Sequence, residues 1–183
     1  MGRRISLFVS TLPGTCSPRS TLSSFERITC SSLSQRCLRI IEILKRCPSP
    51  KIYSYLGNTD SEIWYFRGLK AQAQFALDHA SIIIDLFSSL FGIDYPLPKC
   101  DLLAVHEFSH GAMENWGLIT YRTTALLFDE TASDIKYKNR VAYVVAHELA
   151  HQWYGNLVTM DWWNELWLNE GFATWAGWLA TDQ

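Results

Sequence analysis

Two histidines four residues apart constrain this chain more than any other feature of its sequence. Residues 147–151 read HELAH, with His147 and His151 at the ends and Glu148 between them. Side chains four residues apart lie one above the other on a helix, so the two imidazoles can converge on one metal ion. Glu148 is rotated by about 100° from His147 and can reach a water beside that ion. The alternative is an ordinary amphipathic helix with two surface histidines.

A catalytic zinc site needs a third protein ligand and keeps its fourth position open. Glu170 follows His151 after eighteen intervening residues, within the apolar, Trp-rich segment at residues 167–173. Residues 156–164 are enough to reverse the chain, so an antiparallel second helix can bring Glu170 to the two histidines. An acidic residue in such a segment is costly unless it is paired or bound to metal. The alternative is a carboxylate on the surface of a helix.

The two helices of this motif are predicted from their own patterns. Apolar spacing predicts one helix over residues 134–154, capped by Ser133 and ended by Gly155 in the left-handed conformation. The following helix is expected over residues 164–180 or 168–180. Together they form the predicted metal-binding helix pair.

The residues before this pair predict a third helix and two strands. Apolar residues at steps of three and four predict an amphipathic helix over residues 67–91, ended by Gly92, with His79 as a solvated side chain. Two β-like runs at residues 101–108 and 117–121 are expected to form a hairpin at a sheet edge. The order of elements favours an α+β fold with three main helices.

The composition excludes several classes of protein. The chain has 183 residues, 48% of them hydrophobic and 19% charged, which is typical of an ordinary folded domain. A net charge of −2 gives no general attraction to nucleic acid, and residues 141–183 contain no Lys or Arg. The early apolar runs are far shorter than the about 20 residues of a membrane span. We therefore expect no nucleic-acid partner and no membrane span.

The amino-terminal third differs from the rest of the chain. Residues 1–46 carry a net charge of +6, whereas the remainder carries −8. Four of the five cysteines lie within the first 47 residues, and their spacing fits neither a zinc site nor a complete set of disulfides. We expect residues 1–60 to be a disordered or misread segment, with a mitochondrial transit peptide as the alternative. Residues 65–183 are expected to form the folded domain.

The sequence around the two helices resembles a known family. The chain reads GAMEN at residues 111–115, HELAH at residues 147–151 and LNEGFA at residues 168–173. This combination is similar to the gluzincin zinc aminopeptidases, which include alanyl and puromycin-sensitive aminopeptidases. The segment LVTMDWW at residues 157–163 is most similar to the fungal alanine/arginine aminopeptidases. Over residues 67–180 the resemblance implies a partial thermolysin-like (gluzincin) catalytic domain, and it favours a cytoplasmic location.

The resemblance also implies a role for each candidate site residue. His147, His151 and Glu170 would bind one Zn2+ per chain, Glu148 would act as general base, and Glu114 would hold the free α-amine of a peptide. The other loop residues expected to contact the peptide are Gly111, Ala112, Met113 and Asn115. A carboxylate at a fixed distance from the metal selects peptides with a free amino terminus. The implied activity is zinc-dependent removal of the amino-terminal residue through a zinc-activated water; taken alone, the loop is an ordinary glycine turn.

Alternatives to this activity stay open at the sequence level. The family uses a tyrosine well beyond the third ligand to stabilise the oxyanion, and Tyr121, Tyr143 and Tyr154 do not match that position. Loss of such a donor lowers the rate by about 10²- to 10³-fold. A catalytically inactive zinc-binding fragment is therefore the second hypothesis, and an endopeptidase is a third. We expect His106 and His110 to be ordinary surface histidines, and the carboxyl-terminal tryptophans to be core or a surface for neighbouring domains.

Overall fold

A mixed sheet and three long helices dominate the part of the chain that the structure describes. In this computed structural model that part comprises residues 8–9, 51–56, 59–65 and 69–182. The strands are β1 (Phe8–Val9), β2 (Lys51–Leu56), β3 (Thr59–Trp64), β4 (Lys99–Val105), β5 (Ala112–Met113), β6 (Leu118–Arg122) and β7 (Val158–Thr159). The helices are α1 (Lys70–Phe91), α2 (Thr123–Leu126), α3 (Ile135–Ala150) and α4 (Leu166–Thr181), with a 3-10 turn at Trp163–Glu165. This mixture of helices and strands agrees with the predicted α+β class.

The main sheet has five strands in the order β2-β3-β4-β6-β5. Strands β3, β4 and β6 are parallel neighbours, whereas β2 and β5 pair antiparallel at the two edges. Ile63 of β3 lies beside Leu102 of β4, which lies beside Ile119 of β6, and all three side chains are fully buried. The short strands β1 and β7 pair antiparallel with each other.

The predicted hairpin between residues 101–108 and 117–121 is wrong. The strands in these two runs, β4 and β6, are parallel, and the hairpin partner of β6 is β5, a two-residue strand within the predicted loop. Five consecutive residues of β4 are buried. Burial on both faces is typical of a central parallel strand rather than an edge strand.

The sheet also extends upstream of residue 65, where the sequence predicts that the folded domain begins. Strand β3 pairs with β4, and β2 pairs with β3. Most of residues 1–60 lies outside the described residues, so the prediction for that segment stays a prediction.

Helix α1 confirms the prediction of an amphipathic helix ended by glycine. Its buried side chains follow the helical period, and Gly92 takes the left-handed conformation with φ 65° at the carboxyl end. This buried face lies against the sheet and α3. None of the helices in the described ranges has the length and apolar character that crossing a membrane requires.

His79 of α1 is packed rather than solvated, so that prediction is wrong. Its Nε2 atom lies 3.2 Å from the carbonyl oxygen of Ala142 on α3, and its ring stacks on Phe75 at a centroid distance of 5.6 Å. Burial lowers the pKa of His79, although the bond to Ala142 opposes this effect. The helical pattern placed His79 on a polar face, but helix α3 covers that face at this point.

Helix α3 carries HELAH as predicted, but its ends differ from the prediction. The cap is Asp134, whose Oδ1 accepts a hydrogen bond from the backbone N–H of Tyr137 at 2.8 Å, and not Ser133. The helix ends at Ala150 with His151 as its carboxyl-terminal cap in helical conformation, and residues 151–153 form a turn. Gly155 has φ 134°, outside the left-handed helical region, so it does not end the helix in the predicted manner.

Helix α4 crosses α3 in an antiparallel direction. Near its start, a carboxylate oxygen of Glu170 lies 3.5 Å from Nε2 of His151. Near its end, the ring of Trp178 packs on Tyr143 with a centroid distance of 4.4 Å. Later residues of α4 thus meet earlier residues of α3, as the sequence predicts.

Small residues allow this close crossing. Ala173, Ala176 and Gly177 of α4 are buried. A Cβ atom at Gly177 would lie 3.2 Å from Cε2 of Tyr143 and 3.3 Å from the Cα atom of His147. An added methyl group would therefore be tight at this position, and Tyr143 or His147 would have to shift by a few tenths of an ångström.

Helix α4 and the turn before it carry exposed aromatic side chains. Trp153 lies in the core with 3% exposure. The tryptophans that are more than half exposed are Trp162, Trp163, Trp167, Trp175 and Trp178. The carboxyl-terminal tryptophans therefore occupy both predicted environments, the core and the surface.

The cap of α3 gives a first prediction. Asp134→Ala should destabilise the fold by about 1 kcal/mol because the N–H of Tyr137 loses its acceptor. Ser133→Ala is the matched control, and it should change the free energy of unfolding by less than half as much. Urea denaturation followed by circular dichroism measures both; an equal loss in the two variants would contradict the cap.

The helix crossing gives a second prediction. Gly177→Ala should lower the free energy of unfolding by about 1–3 kcal/mol because the new methyl group overpacks against Tyr143 and His147. Gly171→Ala in the same helix is the control, since no atom lies within 4 Å of its added Cβ. That control should be neutral or stabilising by about 0.5–1 kcal/mol. Equal stability of the two variants in urea denaturation would refute the close crossing.

Candidate metal centre

Three ligand atoms from α3 and α4 meet at one point. The Nε2 atoms of His147 and His151 lie 3.1 Å apart. A carboxylate oxygen of Glu170 lies 3.4 Å from the first and 3.5 Å from the second. Ligand atoms at about 2.0–2.1 Å from a tetrahedral zinc ion are about 3.3 Å apart. The triangle thus has the dimensions that a zinc ion requires.

Both imidazoles can present a ring nitrogen to a metal ion. Nδ1 of His151 lies 2.9 Å from the carbonyl oxygen of Tyr154, so Nδ1–H donates to it and Nε2 keeps its lone pair. Burial, together with the neighbouring His151, lowers the pKa of His147 to about 4, while Glu114 and the backbone of Ala173 oppose this effect. A neutral His147 also offers a lone pair.

Glu148 lies beside the ligands as the helix geometry predicts. Its side chain is buried, and within the described residues its Oε2 atom has no hydrogen-bond partner. Burial, with the negative charges of Glu114 and Glu170, raises the pKa of Glu148 to about 9. A bound cation would act in the opposite direction, because positive charge stabilises the carboxylate.

These groups line a cleft of about 310 Å³. Its lining residues are Gly111, Ala112, Glu114, Tyr143, Val144, His147, Glu148, His151 and Glu170. Three carboxylates thus face one cleft whose described lining contains no Lys or Arg. Imidazole nitrogens and carboxylate oxygens are ligand types that zinc takes, so the residues present fit zinc.

The loop that carries Glu114 connects the edge strand β5 to β6. The backbone N–H of Arg122 donates to the carbonyl of Gly111 at 2.8 Å, and its guanidinium donates to the carbonyls of Phe108 and Ser109. Asn115 donates from Nδ2 to Oγ1 of Thr120 at 3.2 Å. These bonds hold the segment before β5 and the side chain of Asn115 on the sheet.

The predicted site residues divide into two groups. The metal ligands, Glu148, Glu114, Gly111 and Ala112 all line the cleft. Met113 and Asn115 belong to the same loop but are not among the lining residues, and Asn115 is engaged with Thr120. Peptide contacts by these two residues stay predictions.

One argument used to predict Glu170 does not hold in the structure. The sequence suggests that the carboxylate is buried among aromatic residues, whereas its side chain is 49% exposed and Trp167 is 57% exposed. Its position beside the histidines therefore follows from the helix crossing and not from the cost of burial.

The sequence did not point to two side-chain amides that connect the Glu114 loop to the segment directly after α3. Asn156 donates from Nδ2 to the carbonyl oxygen of Glu114 at 2.8 Å, and Gln152 donates to the same oxygen at 3.4 Å. Gln152 is fully buried. Its position one residue after His151 is the only sequence signal that points to it.

Three tyrosines and His110 make contacts with neighbouring side chains or are buried. Tyr143 packs on Trp178, and Tyr154 stacks on Phe172 at 4.9 Å. Tyr121 is fully buried, and burial and the charge of Glu148 raise its pKa. The exposed His110 interacts with Ser109 beside it.

The chain is similar in sequence to several known peptidases. A family model described as the peptidase family M1 domain matches residues 75–183. Aminopeptidase M1-A of Oryza sativa subsp. japonica is 62% identical over 115 residues, which cover 63% of this chain and 13% of that protein. Two proteins of Saccharomyces cerevisiae are each 59% identical: "Aminopeptidase 2, mitochondrial" over 63% of this chain and "Alanine/arginine aminopeptidase" over 60%.

The chain spans only 12% of the first of these yeast proteins and 13% of the second. The family match, in contrast, covers more than half of the chain and includes HELAH and Glu170. Peptidase family M1 is a family of zinc metalloproteases. The chain that carries this helix pair and its three converging ligand atoms therefore belongs to peptidase family M1.

Proposed function

We propose that this chain is the zinc-binding part of an aminopeptidase that hydrolyses the amino-terminal residue from peptides. The observation that carries the proposal is the meeting of two imidazoles and one distant carboxylate beside Glu148 and Glu114 in one cleft. Membership of family M1 and the aminopeptidase names of the relatives support it. A thermolysin-like arrangement of the domain is part of this proposal.

His147, His151 and Glu170 would hold one zinc ion per chain. When bound, zinc supplies Lewis-acid chemistry, lowering the pKa of a water toward about 7 and polarising a carbonyl oxygen. The hydrogen bond from His151 to the Tyr154 carbonyl orients one ligand ring before metal arrives. The short distances between the ligand atoms mean that little rearrangement is needed for binding.

Glu148 is the proposed general base. Its buried Oε2 atom has no partner in the described part of the chain, and it lies in the same cleft as the ligands. It would accept a proton from the attacking water and return that proton to the leaving amine. The first step requires an ionised carboxylate, and a bound cation would favour that form of Glu148.

Glu114 is the proposed binding group for the substrate α-amine. Its negative charge raises the pKa of both His147 and Glu148, so Glu114 lies close to the proposed ligands and general base. One ammonium paired with this carboxylate would place the first peptide bond at the metal. The edge strand β5 offers backbone groups for an extended peptide, with Gly111 and Ala112 lining the cleft beside it.

Peptides with a free amino terminus are therefore the proposed substrates. A cytoplasmic location is proposed from the sequence, and the relative named as mitochondrial keeps the organelle as the alternative. The location does not affect the chemistry of the cleft.

The zinc site gives a third prediction. The chain should bind one zinc ion and hydrolyse alanine anilide, and a chelator should abolish the hydrolysis. His147→Ala should lose the bound zinc because two ligands hold zinc far more weakly than three. His110→Ala is the matched control, since His110 is exposed and outside the ligand set. Elemental analysis and the anilide assay measure the two properties.

The outcomes of this experiment separate the hypotheses. Zinc bound at one per chain without chelator-sensitive hydrolysis would favour the inactive zinc-binding fragment. Unchanged zinc affinity in His147→Ala would refute the ligand assignment.

The amine-binding role gives a fourth prediction. Glu114→Ala should lower kcat/KM for alanine anilide by about 10- to 100-fold, because a charge-assisted hydrogen bond to the ammonium is lost. Glu130→Ala, which removes an exposed carboxylate outside the cleft, should leave kcat/KM unchanged. If Glu114→Ala and the wild type cleave free-amine and acetylated substrates with the same preference, Glu114 does not bind the amine.

A further inference from the structure

The position of Glu114 depends on a loop rather than on a helix or strand. The residue follows β5, a strand of only two residues, and precedes the turn that leads into β6. The distance between its carboxylate and the metal ligands determines which bond of a bound peptide reaches the ion. In a flexible loop the distance between Glu114 and the ligands would vary. A contact that holds the loop is therefore needed.

Two side-chain amides make this contact. Asn156 donates from Nδ2 to the carbonyl oxygen of Glu114 at 2.8 Å. Gln152 donates from Nε2 to the same oxygen at 3.4 Å, and its Oε1 accepts the N–H of Gly117 at 3.2 Å. The two amides therefore hold the loop at Glu114 and at Gly117.

Both amides are on residues that follow the proposed ligand His151 within five positions of the chain. Gln152 is fully buried directly after His151, and its Nε2 also donates to the carbonyl oxygen of Glu148 at 3.3 Å. The backbone N–H of Asn156 donates to the carbonyl oxygen of His151 at 3.0 Å. The carbonyl of Glu114 is thus tied within a few bonds to the ligand His151.

We infer that Gln152 and Asn156 are positioning residues that set the distance between Glu114 and the metal ligands. They act through the backbone of Glu114 and do not touch substrate. This inference rests on the proposed amine-binding role of Glu114. According to this inference, two amides that follow HELAH determine that one residue is removed from the amino terminus of the peptide.

A pair of metal-binding probes tests this role without turnover. Alanine hydroxamate carries an α-amine and a metal-binding group, whereas propionohydroxamate has the same metal-binding group and no amine. The ratio of their dissociation constants for the zinc-loaded chain, measured by calorimetry, gives the amine preference. Zinc content and the midpoint of thermal unfolding are measured on the same samples.

Asn156→Ala should reduce the amine preference by about three- to tenfold, the range expected for one hydrogen bond. The affinity for propionohydroxamate and the zinc content should stay at wild-type values. Asn156→Asp has the same size but presents an acceptor to the Glu114 carbonyl, so it should lose at least as much preference. Gln152→Met should act in the same direction, because the thioether fills the buried space without a donor.

Asn164→Ala is the matched control, because that exposed amide donates only to the adjacent Glu165 among the described contacts. It should keep the wild-type preference. If Asn156→Ala and Gln152→Met keep it too, or weaken both probes equally, the positioning role is overturned. Glu114→Ala separates this failure from the failure of the proposed function: an unchanged preference in that variant overturns amine binding itself.

Discussion

The close antiparallel crossing of α3 and α4 is the constraint on which the candidate site depends. Two ligands lie on the first helix, and the third lies eighteen intervening residues further along the chain. Their ligand atoms meet within 3.5 Å only because the interface is built from small side chains, with Gly177 against His147. Larger residues there would separate the helices and the ligands together. Packing between two helices thereby sets the spacing of the candidate ligand atoms.

The same crossing concentrates negative charge. Glu114, Glu148 and Glu170 share a cleft with His147, whose pKa burial lowers to about 4, and the pKa of Glu148 rises to about 9. Carboxylates that crowd without a counter-ion oppose folding, because desolvation and repulsion both penalise the charged forms. A divalent cation removes much of this penalty. Metal binding and folding are therefore expected to stabilise each other.

Local features of the fold and the crossing of α3 with α4 follow from the sequence, whereas the pairing of the strands does not. The helical period and Gly92 predict α1, and HELAH with its apolar neighbours predicts α3. The period shows that a segment has a buried face but does not show which element covers it. For that reason the parallel pairing of β4 with β6 and the packing of His79 under α3 were not predicted.

The functional parts of the cleft come from separate stretches of chain, yet direct hydrogen bonds connect them. Between Glu114 and His147 the chain passes through β6, α2 and the amino-terminal part of α3. Such a long path does not fix the distance between Glu114 and His147, because small displacements of each element along it add up. The bonds from Gln152 and Asn156 to the Glu114 carbonyl bypass it. Such amides have no spacing signature of their own, so ligand motifs can be found in a sequence while the contacts that align them appear only in three dimensions.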